Sequence, residues 1–169
     1  MLHMQIRTTA VGVASKRTSA DEIPLGSLIF GYGPMLPFVL GAVGVLALPS
    51  PWPLITLRLL IIWGASILIF VAGVRRGYGF GNPRASTGAE IAAMLLYFVP
   101  GGIALVLGQE GQIAKALELL IFGFALVILV DRRAAARGNA PRHFGRLRGP
   151  QMAIAIASLV VVLIGLPLT

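Results

Sequence analysis

Cysteine is absent from all 169 residues. That excludes disulfides, thiolate zinc centres, thiolate-held iron–sulfur clusters and cysteine nucleophiles. Histidine is nearly absent: His3 and His143 are the two copies, and both lie in polar stretches. A haem or pigment held by imidazoles inside a helical bundle needs histidines within apolar runs, so that cofactor class falls too. Charge is also scarce. Asp, Glu, Lys and Arg make up 12% of the chain, about half of the roughly 25% found in water-soluble domains. So few charges cannot coat a globule against water.

What the chain has instead is apolar length. Hydrophobic residues make up 57% and the mean hydropathy is +0.88. A helix of about 20 apolar residues spans the hydrocarbon core of a bilayer, and five stretches of that kind follow one another. The sequence therefore predicts an all-α integral membrane bundle of five transmembrane helices, at about residues 27–48, 54–74, 89–108, 112–130 and 150–168, behind a basic N-terminal tail, 1–23. The tail is acid-poor like a transit peptide, but it lacks the apolar core of a secretory signal and reads as a cytoplasmic tail.

Proline and glycine mark where these helices are expected to be irregular. Pro34 and Pro37 each remove a backbone donor, which predicts a kink or a late helix start near the beginning of the first span. "PSPWP" (Pro49–Pro53) ends it, with Trp52 suited to the membrane–water interface. Arg75 and Arg76 are expected to end the second span. Pro100, Gly101 and Gly102 predict a bend or a break in the third. The short turn Gln109–Gln112 makes spans three and four an antiparallel hairpin, and Asp131–Arg148 reads as a basic loop. Gly41 with Gly44, and Gly64 with Ala65, are candidates for close helix approach. No internal repeat is visible.

Basic residues set the orientation. The chain holds fourteen Lys/Arg against six Asp/Glu, a formal charge of +8. The tail, second loop and fourth loop hold twelve of the fourteen, and the other side has only Arg58 and Lys115. Positive residues collect on the cytoplasmic side, so the N-terminus is expected inside and the C-terminus outside. Nucleic-acid binding is excluded as a reading, because no basic face with interleaved aromatics exists outside the loops.

Arg58 and Glu118 interrupt apolar runs at a shared depth. They form a candidate intramembrane ion pair between spans two and four. The competing reading has Arg58 reaching outward and Glu118 pairing with Lys115 on its own helix. Neither the midplane nor the inner half of any span is expected to hold an acid. Arg132, Arg133, Arg137, Arg142, Arg146 and Arg148 are candidate contacts for anionic lipids. Tyr97 and Ser66 are candidates for interhelical hydrogen bonds. No Ser/His/Asp set and no phosphate-binding loop is present, and "GYGFGNP" reads as a flexible turn. No catalytic, cofactor-binding or metal-binding residue is assigned, and the chain is expected not to be an enzyme.

Three segments, "FGYGPMLPF" (Phe30–Phe38), "WGASILIFVAGVRRG" (Trp63–Gly77) and Asp131 followed by "PRHFGRLR" (Pro141–Arg148), occur in that order. Together they resemble the DUF3429 family, which also includes mitochondrial transmembrane protein 69, over roughly residues 25–168. The second segment is similar to the family pattern Y-G-A-x-I-L-x-F-x-G-G-x-x-W-G, with Trp63 in place of the Tyr, Ala72 of the first paired Gly and Arg76 of the Trp. The resemblance implies a small multi-span inner-membrane protein and carries no activity with it. With no chemistry in view, two functions are expected. The first is a non-catalytic accessory or assembly subunit of a larger inner-membrane complex, respiratory or photosynthetic, in a bacterial cytoplasmic or a mitochondrial inner membrane. The second is a small oligomeric transporter or channel. The partners expected are the lipid bilayer, anionic lipids and other membrane-protein subunits, with no cofactor.

Overall fold

A computed structural model of the chain describes residues 29, 31–80, 87–136 and 142–166. A 3-10 turn, Gly33–Met35, leads into α1 (Leu36–Ala47). Four longer helices follow: α2 (Trp52–Phe80), α3 (Thr87–Gln109), α4 (Ile113–Ala136) and α5 (Arg142–Gly165). No strand occurs among the described residues. The expected all-α architecture of five helices is therefore what the chain forms. Four helices carry segments long and apolar enough to cross a membrane, Trp52–Gly77, Gly88–Gln109, Ile113–Ala134 and Arg148–Gly165.

The first helix is shorter than expected. Its apolar part covers Gly33–Ala47, and α1 itself has 12 residues, about 18 Å at 1.5 Å per residue. Pro34 and Pro37 are the reason for its form. Both fall in a first helical turn, where a missing N–H costs little. Tyr32 and Leu36 on either side of the 3-10 turn keep right-handed helical angles. The chain thus changes helix type there and does not break.

Three expected boundaries are corrected. Arg75 and Arg76 do not end the second helix; α2 continues to Phe80, and the Arg76 guanidinium stacks 4.1 Å from the Phe80 ring centroid one turn on. Asp131–Arg148 is not a loop. Helix α4 runs to Ala136 and α5 begins at Arg142, with Pro150 inside it. Helix α3 also passes unbroken through Pro100, Gly101 and Gly102. Pro100 removes one backbone bond, a loss that packing overrides. A β-carbon on Gly101 would stand 3.1 Å from the Ala65 carbonyl oxygen and 3.2 Å from Leu68 Cβ, so the glycine lets α3 lie directly on α2. In each case a helix needs only backbone bonds to continue, and a charge or a proline marks no compulsory stop.

The hairpin between α3 and α4 is as expected. Gly111, at φ 77°, takes the left-handed conformation. The Gln112 N–H donates to the Leu107 carbonyl (2.9 Å) and the Gly111 N–H to the Gly108 carbonyl (3.4 Å), the two bonds of a Schellman cap.

Each helix packs on its sequence neighbour, α1 closes the ring against α5, and α2 also touches α4. At the centre, the Phe38 and Phe124 rings meet edge to face, 5.5 Å between centroids. Leu68, Leu117, Leu120, Val127, Leu159 and Val162 are fully buried around them. Lipid tails are as apolar as leucine, so this core is held by close packing and polar bonds and not by escape from water. The glycines predicted to permit close approach do so: Gly41 faces Leu60, Gly44 faces Thr56 and Gly64 faces Leu120. The Trp63 indole N–H donates to the Pro34 carbonyl at 2.9 Å and ties α2 to the entry of α1. Two of the segments that carry the family resemblance meet at that bond.

Candidate functional site

Follow the buried stripe of each long helix and it ends in a polar residue. On α4 the stripe reads Leu117, Leu120, Phe124, Val127, Asp131, all buried; steps of three and four keep these on one face. On α5 it reads Leu159, Ala155, Met152 and then Arg148; on α2, Leu68, Ala72 and then Arg75; on α3, Ala104, Tyr97, Ala93 and then Glu90. Because neighbouring helices run antiparallel, these four polar ends all arrive at the same end of the bundle. It is the end that bears the α2–α3 and α4–α5 connections, here called the arginine end.

Two ion pairs form there. Arg75 Nη2 donates to Glu90 Oε1 at 2.9 Å, joining α2 to α3. Arg148 Nη1 donates to Asp131 Oδ2 at 2.5 Å, joining α5 to α4. The Tyr97 hydroxyl donates to Asp131 Oδ1 at 2.9 Å, joining α3 to α4. Tyr97 slants toward the N-terminus of its helix, as helical side chains do, and this carries its hydroxyl toward the Glu90 end. There it lies within electrostatic range of both Arg75 and Arg148. Four helices are thus linked by one cluster of two cations, two anions and a phenol. Glu90, Asp131 and Tyr97 are at most 3% exposed and Arg75 is 6% exposed, so these charges are sealed from both water and lipid.

The pairs differ in their helix-end electrostatics. Glu90 sits in the first turn of α3, where the helix dipole favours an acid. Asp131 on α4 and Arg148 on α5 both lie more than one turn from their helix ends, beyond the reach of the dipole, so this pair stands on mutual attraction and on Tyr97. The second carboxylate oxygen of Glu90 is buried without a hydrogen-bond partner among the described residues. Gln151, three residues after Arg148 on α5, is buried, and a β-carbon on Gly31 would collide with its amide. The chain therefore enters the bundle from the arginine end.

The residues singled out from sequence fare unevenly. Arg58 and Glu118 are not brought together: both are exposed, and neither belongs to an ion pair among the described residues. The faces that α2 and α4 turn inward carry Leu57, Leu60, Ile61, Leu117 and Leu120, which leaves Arg58 and Glu118 outside. Lys115 bonds the Gln112 side chain at 2.9 Å and not Glu118. Tyr97 does make an interhelical bond, whereas Ser66 donates back to the Ile62 carbonyl of its own helix at 2.8 Å. Arg148 turns inward to Asp131 with its side chain 13% exposed, while Arg132 and Arg133 are exposed. Arg137 and the side chains of Arg142 and Arg146 lie outside the described residues. The expectation that no acid stands in the inner half is corrected by Glu90 and Asp131. Treating a span as ending at its first charge hid them, although each continues the three-and-four spacing of its buried stripe.

A family model described as "Protein of unknown function (DUF3429)" matches residues 23–164. No curated protein and no solved structure matches the chain significantly.

Proposed function

The chain belongs to the DUF3429 family, and on that premise we propose that it is a non-catalytic accessory or assembly subunit of a larger inner-membrane complex. The observation that carries this reading is where the charge goes. The ionisable groups buried in the bundle bond to one another and splice α2, α3, α4 and α5 together. The outside of the bundle is left apolar, with Leu36, Leu40 and Val43 exposed along α1 and Leu95, Val99 and Val106 along α3. A protein of this form acts sideways, by offering helix faces to partner helices. The excess of Lys/Arg at the arginine end supports an orientation with that end in the cytoplasm or matrix.

Purification in a mild detergent, followed by native mass determination, tests the proposal. The expected result is a stoichiometric larger partner. Recovery as a lone monomer, or as a homo-oligomer around a polar passage, overturns it.

A second reading, a small oligomeric transporter, is favoured by one observation: the unbonded buried oxygen of Glu90 beside Arg75. Ionisable groups inside membrane helices commonly mark substrate or ion paths. Solute flux in proteoliposomes that is abolished by Glu90→Gln supports that reading. Flux unchanged by Glu90→Gln, or no flux at all, removes it.

A further inference from the structure

Among the described residues, both acids at the arginine end are consumed inside the bundle. Between Arg75 and Arg148 the sequence holds four acids, Glu90, Glu110, Glu118 and Asp131. Glu110 lies in the α3–α4 hairpin and Glu118 in the second turn of α4, so both belong to the opposite end. The other two are consumed internally, Glu90 by Arg75 and Asp131 by Arg148. Among the described residues, no acid at the arginine end remains for the exposed Arg132 and Arg133.

Their placement on α4 is specific. Phe122, Leu126, Leu129 and Arg133 follow one another at steps of four, three and four, which keeps them on one helical face. Phe122 is 56% exposed and Leu129 48% exposed, with Leu126 between them partly buried against the core, so this face looks largely outward and ends in a guanidinium. Arg132 stands one residue earlier and lies across the α4–α5 seam, its Nη2 3.5 Å from where a β-carbon of Gly149 would be. The stripe is apolar over two turns and cationic where the apolar span of α4 ends.

We infer that this stripe is a binding site for one anionic phospholipid, with the acyl chain along Phe122, Leu126 and Leu129 and the phosphate on Arg132 and Arg133. The Asp131–Arg148 pair serves the site indirectly. By withholding the nearest carboxylate it leaves both exposed arginines to the lipid phosphate. The inference is independent of whether the protein is a subunit or a transporter.

The test is lipid retention. The purified protein is placed in nanodiscs of phosphatidylcholine alone or with phosphatidylglycerol, and bound lipid is counted by native mass spectrometry. Each arginine at an anionic surface is worth about fivefold in binding, so R132Q/R133Q should lower phosphatidylglycerol retention about 30-fold. R58Q, which removes an exposed arginine at the opposite end, should leave it unchanged. R132K/R133K keeps the point charges and should retain most of the binding, which separates lost contact from lost folding. Retention in R132Q/R133Q equal to that of the unaltered protein overturns the inference. So does equal affinity for glycerol phosphate without acyl chains, which would make the site one for free phosphate esters, or no preference for phosphatidylglycerol over phosphatidylcholine.

Discussion

Replacing Asp131 with Ala removes the shared acceptor of Arg148 and Tyr97 in one step. Two costs follow. Stranding a buried guanidinium costs about 3–5 kcal/mol when its counter-ion is deleted. Leaving the Tyr97 hydroxyl without an acceptor adds about 1–3 kcal/mol. Two effects pull the sum down. Interhelical hydrogen bonds inside membranes average only about 0.6 kcal/mol. The Arg148 side chain, 13% exposed and near the start of its helix, can also swing its head toward the interface. A net loss of about 3 kcal/mol is the balance. Arg148→Ala alone should cost about 2 kcal/mol, because Asp131 keeps its bond to Tyr97. The double variant is the decisive one. Removing both charges together leaves no buried charge stranded, and only the Tyr97 hydroxyl then lacks its acceptor. The double change should therefore cost about 3 kcal/mol and not the sum of 5, a coupling of about 2 kcal/mol. Unfolding in mixed micelles by titration with sodium dodecyl sulfate, followed by circular dichroism, measures all three. Additivity within about 0.5 kcal/mol would refute the buried pair.

Three further outcomes follow from the packing. Trp63→Phe deletes the indole donor to the Pro34 carbonyl and should cost about 1 kcal/mol in the same unfolding assay, with no change in helix content. Gly101→Ala should be destabilising by about 1 kcal/mol, since overpacking against the α2 backbone, about 1–3 kcal/mol, outweighs the roughly 1 kcal/mol that alanine gains in a helix; at Gly102, which faces open space, only the gain remains. Arg58→Ala and Glu118→Ala should each fall within about 0.5 kcal/mol of the unaltered protein, and exchanging the two charges should rescue nothing; a rescue by the exchange would restore the ion pair that the structure does not form.

Helix number, hairpin turn and close-packing glycines were all legible, because each follows from local chemistry. Apolar length specifies a span, Gly111 permits the left-handed cap, and Gly41, Gly44 and Gly64 leave room for Leu60, Thr56 and Leu120. The candidate site was only partly legible. Tyr97 is recognisable as a polar residue inside a span that needs a partner, but its partner Asp131 falls where hydropathy predicts a loop. Hydropathy falls off at a charge, whereas a helix does not stop there; α2 and α4 each continue for five residues beyond Arg75 and Asp131. Spacing was the usable signal, since Asp131 continues Leu117, Leu120, Phe124 and Val127. Depth alone misled at Arg58 and Glu118. The two share a level in the membrane, yet the angular positions of the leucines beside them turn both outward.

The account rests on apolar helices lying in lipid with the basic connections gathered at one membrane face, and a chain without cysteine suits a direct measurement. Single cysteines placed at positions 5, 110 and 140 can be labelled in sealed inverted vesicles with a membrane-impermeant maleimide. Positions 5 and 140 should react from the outside of inverted vesicles and position 110 only after permeabilisation. Reaction of positions 5 and 140 from opposite faces would contradict the topology on which the cluster, its lipid site and the proposed role depend.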